Sequence, residues 1–141
     1  MVLERQNTTL LLELPKDFPT IYGNEHELTQ VVFNLLRNAD IHTENGTITI
    51  EAEVNGKEKE VTISVADTGA GIPSDLLPHV FEHGTSGEKG GMGFGLSICK
   101  EIIETHGKRI WIESEFGKGT TVSFTLPIFE NGEWRKENPN E

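Results

Sequence analysis

A single cysteine, Cys99, stands among 141 residues, so no internal disulfide can form and a zinc centre built on cysteines is excluded. Set within an apolar periodic segment, that thiol suits a reducing compartment. Apolar runs reach only a few residues, and the opening MVLERQNTT lacks the charged and apolar regions of a signal peptide. The sequence therefore predicts a soluble chain with neither span nor signal. Positive charge is also scarce, 12 Lys and Arg against 23 Asp and Glu for a net charge of −11. Such a surface repels phosphate backbones at long range, which argues against DNA or RNA partners. Any phosphate must be held locally, by backbone N–H groups, a few side chains and a cation. What is present fits one globular domain rather than collagen, coiled coil or disorder. Much of the glycine falls between Gly69 and Gly95 and reads as loop chemistry.

Residues 1–7 read as a polar leader, 8–129 as the domain and 130–141 as a polar, frayed tail with few anchors. Leu10, Leu12 and Leu14 alternate before Pro15 and predict a short first strand. Asn24 and Glu27 form a capping box, after which Val31, Val32, Leu35, Leu36 and Ala39 recur with the period of a one-sided helix. Asn34, Asn38 and His42 lie one turn apart along the flank of that stripe. Thr47 to Val54 and Val61 to Val65 alternate around Asn55-Gly56, an antiparallel hairpin with one wet face. Ser74 is placed to cap a short helix through Leu76, Leu77 and Phe81. The stretch His83 to Gly91 reads as a mobile loop. Leu96, Cys99, Ile102, Ile103 and His106 predict a second helix stopped by Gly107, and strands follow at Ile110 to Glu113 and Thr120 to Leu126.

Three features point toward a nucleotide, each ambiguous alone. Gly91-Met92-Gly93-Phe94-Gly95-Leu96 opens a helix, where glycines let the backbone approach an anion at the positive end of the dipole. It carries no P-loop lysine and follows a loop rather than a strand, and a flexible linker explains it as well. Asp67-Thr68-Gly69-Ala70-Gly71-Ile72 leaves a strand end, where a carboxylate can accept a hydrogen bond from an exocyclic amine, directly or beside an ordered water. An isolated D-x-G is better explained as a tight turn. Asn34 and Asn38 offer neutral oxygens suited to a magnesium ion that already carries phosphates. A solvated pair of helix residues gives the same pattern.

Taken together and in this order, the segments NEHELTQVVFNLLRNADIHT, VADTGAGIP, HVFEHG, GGMGFGLSICKEIIETHG and ESEFGKGTTVSFTLP resemble the N box, first glycine box, F box, second glycine box and closing strands of the catalytic domain of bacterial two-component sensor histidine kinases. The resemblance runs from about Asn24 to Pro127. It implies the Bergerat ATP-binding fold, an α+β two-layer sandwich whose mixed, largely antiparallel sheet is covered on one face by helices. Carried over, Asp67 would bind adenine N6 with Thr120 supporting a water, and Gly69, Gly71 and Ile72 would lie near the base. Asn38 would ligate Mg²⁺, Asn34 would approach the metal and phosphates, and His42 would border the phosphates or sugar. Gly91, Gly93, Gly95 and Leu96 would supply backbone contacts to the phosphates, and Phe81 would anchor one end of a lid.

Two positions depart from the family pattern. Ile41 stands where many histidine kinases place a Lys, leaving Lys89 as the nearby basic candidate for the phosphates. Asn34 stands where sibling ATPases place a Glu, and an amide cannot take a proton from water at neutral pH, which favours transfer over hydrolysis. The resemblance also implies an acceptor His on a separate dimerisation domain of the same parent protein, a response regulator acting after it, and a cytoplasmic location whether or not the parent is membrane-anchored. No membrane contact is expected of the domain itself. His26, His42, His79, His83 and His106 are each explained within the catalytic fold, so the chain alone is expected to show little autophosphorylation; because the resemblance places dimerisation in a separate segment, it is also expected to be a monomer. Two alternatives are an anti-sigma-factor-type serine kinase of the same superfamily and a non-catalytic, nucleotide-responsive binding module.

Overall fold

Asn24 starts the first helix as the sequence predicts. With its backbone extended at φ −83°, its Oδ1 accepts the Glu27 N–H at 2.9 Å, which satisfies one of the helix's unpaired donors. The helix α1 spans Glu25–His42, with Glu25 and Glu27 in its first turn and His42 in its last, the charge order that its dipole favours. Its inward stripe is Val31, Leu35, Leu36 and Ala39. The computed structural model describes residues 8–82 and 96–129. The proposed leader, the proposed tail, the whole of the predicted mobile loop with Lys89 and Gly91, and Gly93 and Gly95 lie outside the described residues.

Five strands form one sheet in the order β1-β2-β3-β5-β4, where β1 is Thr9–Glu13, β2 Thr47–Asn55, β3 Glu60–Asp67, β4 Ile110–Glu115 and β5 Gly119–Pro127. Only the β1–β2 pair is parallel, so the sheet is mixed as expected. Register puts Ile48, Ile50, Val61, Ile63, Val65, Val122, Phe124, Leu126, Ile110 and Ile112 on one face. That face packs on α1 and on the second helix α2, Leu96–Thr105, around fully buried Val31, Phe124 and Ile103. The opposite face carries Thr49, Glu51, Glu53, Thr62, Ser64 and Ser123, with Ser64 Oγ and Ser123 Oγ 2.8 Å apart.

Three local expectations need correction. Leu10 and Leu12 do lie in β1, but Leu12 is 62% exposed on this edge strand, and Leu14, 47% exposed, falls just beyond its end. The segment after Ser74 is a single 3₁₀ turn, Leu77–His79, and has no side-chain cap. Pro78, four residues after Ser74, has no N–H to give to the Ser74 carbonyl, so a helix begun at Ser74 is interrupted there. The β2–β3 turn is longer than Asn55-Gly56: Asn55 Oδ1 accepts the Glu58 N–H at 3.1 Å, and Lys59 takes the left-handed conformation at φ 58°.

The end of α2 is tied to the start of α1. Gly107, at φ 76°, donates its N–H to Glu104, and Lys108 donates to Ile103, a Schellman termination. Just before it, His106 lies with Nδ1 2.8 Å from the Ile102 carbonyl while Nε2 accepts the Asn24 N–H at 3.0 Å. The carbonyl can only accept, so Nδ1 carries the proton and the ring is the neutral tautomer. Replacing His106 by Ala removes both bonds at a partly exposed site. We expect a loss of about 1 kcal/mol, read as a lower urea midpoint at unchanged slope.

Candidate nucleotide site

A cleft opens where α1, the end of β3, the start of β5 and the start of α2 converge. Its walls are mostly apolar, with Leu35, Ala39, Val65, Ile72, Leu96, Ile112 and Val122 contributing. Four polar side chains interrupt them: Asn38, His42, Asp67 and Thr120. An apolar slot with a few fixed polar groups suits a flat heteroaromatic ring bearing a hydrogen-bonding edge.

The two glycines after Asp67 shape this wall through backbone contact. A Cβ on Gly69 would run into the His42 carbonyl, which accepts the Ala70 N–H at 3.1 Å. Gly71 has φ 75°, a Cβ there would meet the Glu115 carbonyl, and the neighbouring Ala70 carbonyl accepts the Gly117 N–H at 2.6 Å. Glycine is therefore required at both positions by the close approach of α1 and the β4–β5 turn. The turn reading and the acceptor reading of Asp67 are compatible, because Asp67 Oδ1 also accepts the Gly69 N–H at 2.8 Å. Burial raises the Asp67 carboxyl above its ordinary range, while the Gly69 N–H, nearby His42 and the Thr120 N–H pull it back.

Ser114 was not singled out from sequence, yet it organises the far side of the cleft. Its Oγ accepts the Ile72 N–H at 2.8 Å and donates to the Gly119 carbonyl at 3.0 Å. Its single proton is thus used, so in the 2.8 Å contact with Thr120 Oγ1 the threonine is the donor. Thr120 is left with lone pairs, across the β3–β5 pair from Asp67. Two acceptors side by side match an amino group, or a water with both protons to give. The sequence signal for Ser114 was its place in the inward series Ile110, Ile112, Ser114, where a hydroxyl replaces an expected apolar residue.

The predicted seam of α1 divides. Asn38 and His42 line the cleft, whereas Asn34 is absent from its lining and its side chain hydrogen-bonds toward Cys99. Cys99 is fully buried, and burial pushes its thiol up to about 11, leaving it neutral. Leu96 and Ile72 line the cleft; Ile41 is half-buried and does not. Phe81 packs on the core, with Lys100 Nζ 5.7 Å from its ring centre. Among the described residues no group of three His, Cys, Asp or Glu side chains could hold a metal. No described helix is long and apolar enough to cross a membrane.

Residues 23–130 match the family model of histidine kinase-, DNA gyrase B- and HSP90-like ATPases. The chain belongs to this family. It is 42% identical over 125 residues to the adaptive-response sensory kinase SasA of Synechococcus elongatus, covering 85% of this chain and 32% of the relative. SasA of Rippkaea orientalis is 36% identical, with 90% and 34% covered. The chain thus spans about a third of the length of these relatives. Among solved structures, the nucleotide-free catalytic domain of the histidine kinase ThkA superposes with a TM-score of 0.76 at 32% identity, covering 87% of this chain and 82% of that one. Full-length ShkA in complex with AMPPNP gives 0.77 at 28% identity, covering 87% and 26%. The chain is a histidine-kinase catalytic, ATP-binding domain with the Bergerat-like sandwich expected, and the relatives support the sensor-kinase reading over the two alternatives.

Because the folded-state pKa of Asp67 is raised, ionising it costs stability: the cost is absent below the ordinary value of 3.8 and grows as pH rises through the folded value. An Asn at this position keeps an acceptor for the Gly69 N–H. Asp67→Asn is therefore expected to melt above the parent at pH 7, with the gap closing toward pH 3, in thermal unfolding followed by circular dichroism.

Proposed function

We propose that this domain binds Mg·ATP in the cleft and donates the γ-phosphoryl group to a histidine on a separate dimerisation domain of its parent, from which a response regulator is served. The observation that carries the reading is the pair of acceptors, Asp67 and Thr120, in an apolar slot. Adenine offers one exocyclic amine there, and a carboxylate flanked by a hydroxyl oxygen selects it over the carbonyl that guanine presents at the same edge.

Asn38 is the ligand assigned to Mg²⁺. A single neutral amide, with no carboxylate cluster around it among the described residues, fits a small hard cation whose charge the phosphates already balance. When bound, magnesium neutralises charge on the phosphate oxygens. His42 borders the sugar or phosphates. Gly91, Gly93, Gly95 and Lys89 are assigned to the phosphates on sequence grounds, with Leu96 at the start of α2 beside them. Gly69, Gly71 and Ile72 shape the wall on which the base lies.

The acceptor is assigned outside this chain. His106 has both ring nitrogens engaged, His79 Nδ1 lies 2.9 Å from Glu82 Oε2, and His42 lines the cleft. His26 is exposed on the first turn of α1. Asn34 cannot serve as a general base, so transfer is favoured over hydrolysis.

Calorimetric titration of ATP with and without Mg²⁺ tests the site. Asp67→Asn is expected to weaken ATP about ten- to hundredfold, the worth of a hydrogen bond to a charged group. Asn38→Ala is expected to abolish the magnesium dependence. Adding the parent's histidine-bearing dimerisation domain should yield an acid-labile phosphoryl adduct, and an acid-stable one would exclude histidine as acceptor.

A further inference from the structure

The helix layer leaves one apolar groove uncovered. Its floor is Leu36, Ile63 and Leu126, and its walls include Phe18, Leu28 and Phe33. Leu28, Val32 and Leu36 form an i, i+4 row on α1, and Thr29 and Phe33 form a second row beside it. Phe33 is 59% exposed and Phe18 42%. A helix that buries one stripe against its own sheet does not need this second apolar surface, and large contiguous apolar patches mark contact sites.

The chain itself is led to this groove. Tyr22 donates its N–H to Pro127 at 3.0 Å, Ile21 bridges Ile128 antiparallel, and Phe129 donates to Thr20 at 2.8 Å. This pairing sets Phe129 beside Thr20, two residues from Phe18 in the groove wall. Twelve residues follow Phe129, and in Glu130-Asn131-Gly132-Glu133-Trp134-Arg135-Lys136-Glu137-Asn138-Pro139-Asn140-Glu141 the one large apolar side chain is Trp134. Five residues of extended chain reach about 17 Å. Glu25 lies in the groove lining, and Arg135 and Lys136 follow the tryptophan in sequence.

We propose that the groove is the docking site of this chain's own segment 130–141, with Trp134 seated between Phe18 and Phe33 and the two following cations directed to Glu25. The docking does not depend on what the nucleotide cleft binds.

The test uses the full chain carrying Trp111→Phe, so that Trp134 is its sole tryptophan. Docking predicts blue-shifted Trp134 emission and acrylamide quenching several-fold weaker than in a free peptide of residues 130–141, both independent of protein concentration. Phe33→Glu and, separately, Phe18→Ser should return the quenching to that of the peptide, with circular dichroism confirming that each variant is folded. Peptide-like quenching in the intact chain would overturn the proposal. So would protection that grows with concentration, which would place a second copy in the groove, or protection that survives both groove variants.

Discussion

Three stretches of backbone meet at residues 69–71, and the cleft exists because they can come so close. The last carbonyl of α1 accepts the Ala70 N–H, the Ala70 carbonyl accepts the Gly117 N–H, and the two flanking glycines have no Cβ to hold α1 or the β4–β5 turn away. A side chain at either position would meet main chain, not the flexible end of another side chain, so relief would require moving a helix end or a strand pair. Moving either shifts one wall of the cleft relative to the other. The position of Asp67 follows from the same contact, since its carboxylate is turned onto the Gly69 N–H.

Polarity in the cleft is arranged around that fixed carboxylate. Burial disfavours its charge, and the nearby N–H groups and His42 offset only part of the cost. A group held at some cost to stability, with its free lone pairs beside those of Thr120, is the usual signature of a binding residue rather than a packing one. The Ser114 hydroxyl contributes by absorbing three neighbours at once. It satisfies the Ile72 N–H, ties the turn through Gly119, and fixes the direction of the Thr120 proton. Asn34, outside the cleft lining, hydrogen-bonds toward Cys99.

Much of this was legible in the sequence because it rests on local rules. The Asn24 cap, the period of α1, the alternation of β2 and β3 and the Gly107 stop each depend on residues within a turn or two of one another. What escaped depended on distant chain. Leu12 alternates correctly but is exposed, because whether a strand lies at an edge is decided by pairing order and not by its own pattern. Pro78 interrupts the helix that the apolar spacing after Ser74 otherwise suggests. Asn34, Asn38 and His42 lie on one seam by helical wheel, yet only the last two line the cleft. Ser114 falls in the closing-strand segment without a role assigned from it, and it acts through partners 5, 6 and 42 residues away. Family resemblance supplied the role of Asp67, and the structure supplied the reason that its glycines are glycines.

Helix α1 therefore presents three surfaces with three roles. Val31, Leu35 and Ala39 face inward, Asn38 and His42 form the cleft wall, and Leu28, Val32 and Phe33 line the outer groove. A helix is stiff along its axis, and its end is pinned by the His42 carbonyl at the glycine contact and its start by Asn24 against His106. A load on the outer groove is then borne by the same rigid element that carries Asn38. Rotation of α1 by a fraction of a turn would carry Asn38 relative to Asp67, which sits on the sheet. The distance between the residue assigned to the metal and the residue assigned to the base is thus set by how α1 is seated, and packing in the groove is one of the forces that seats it.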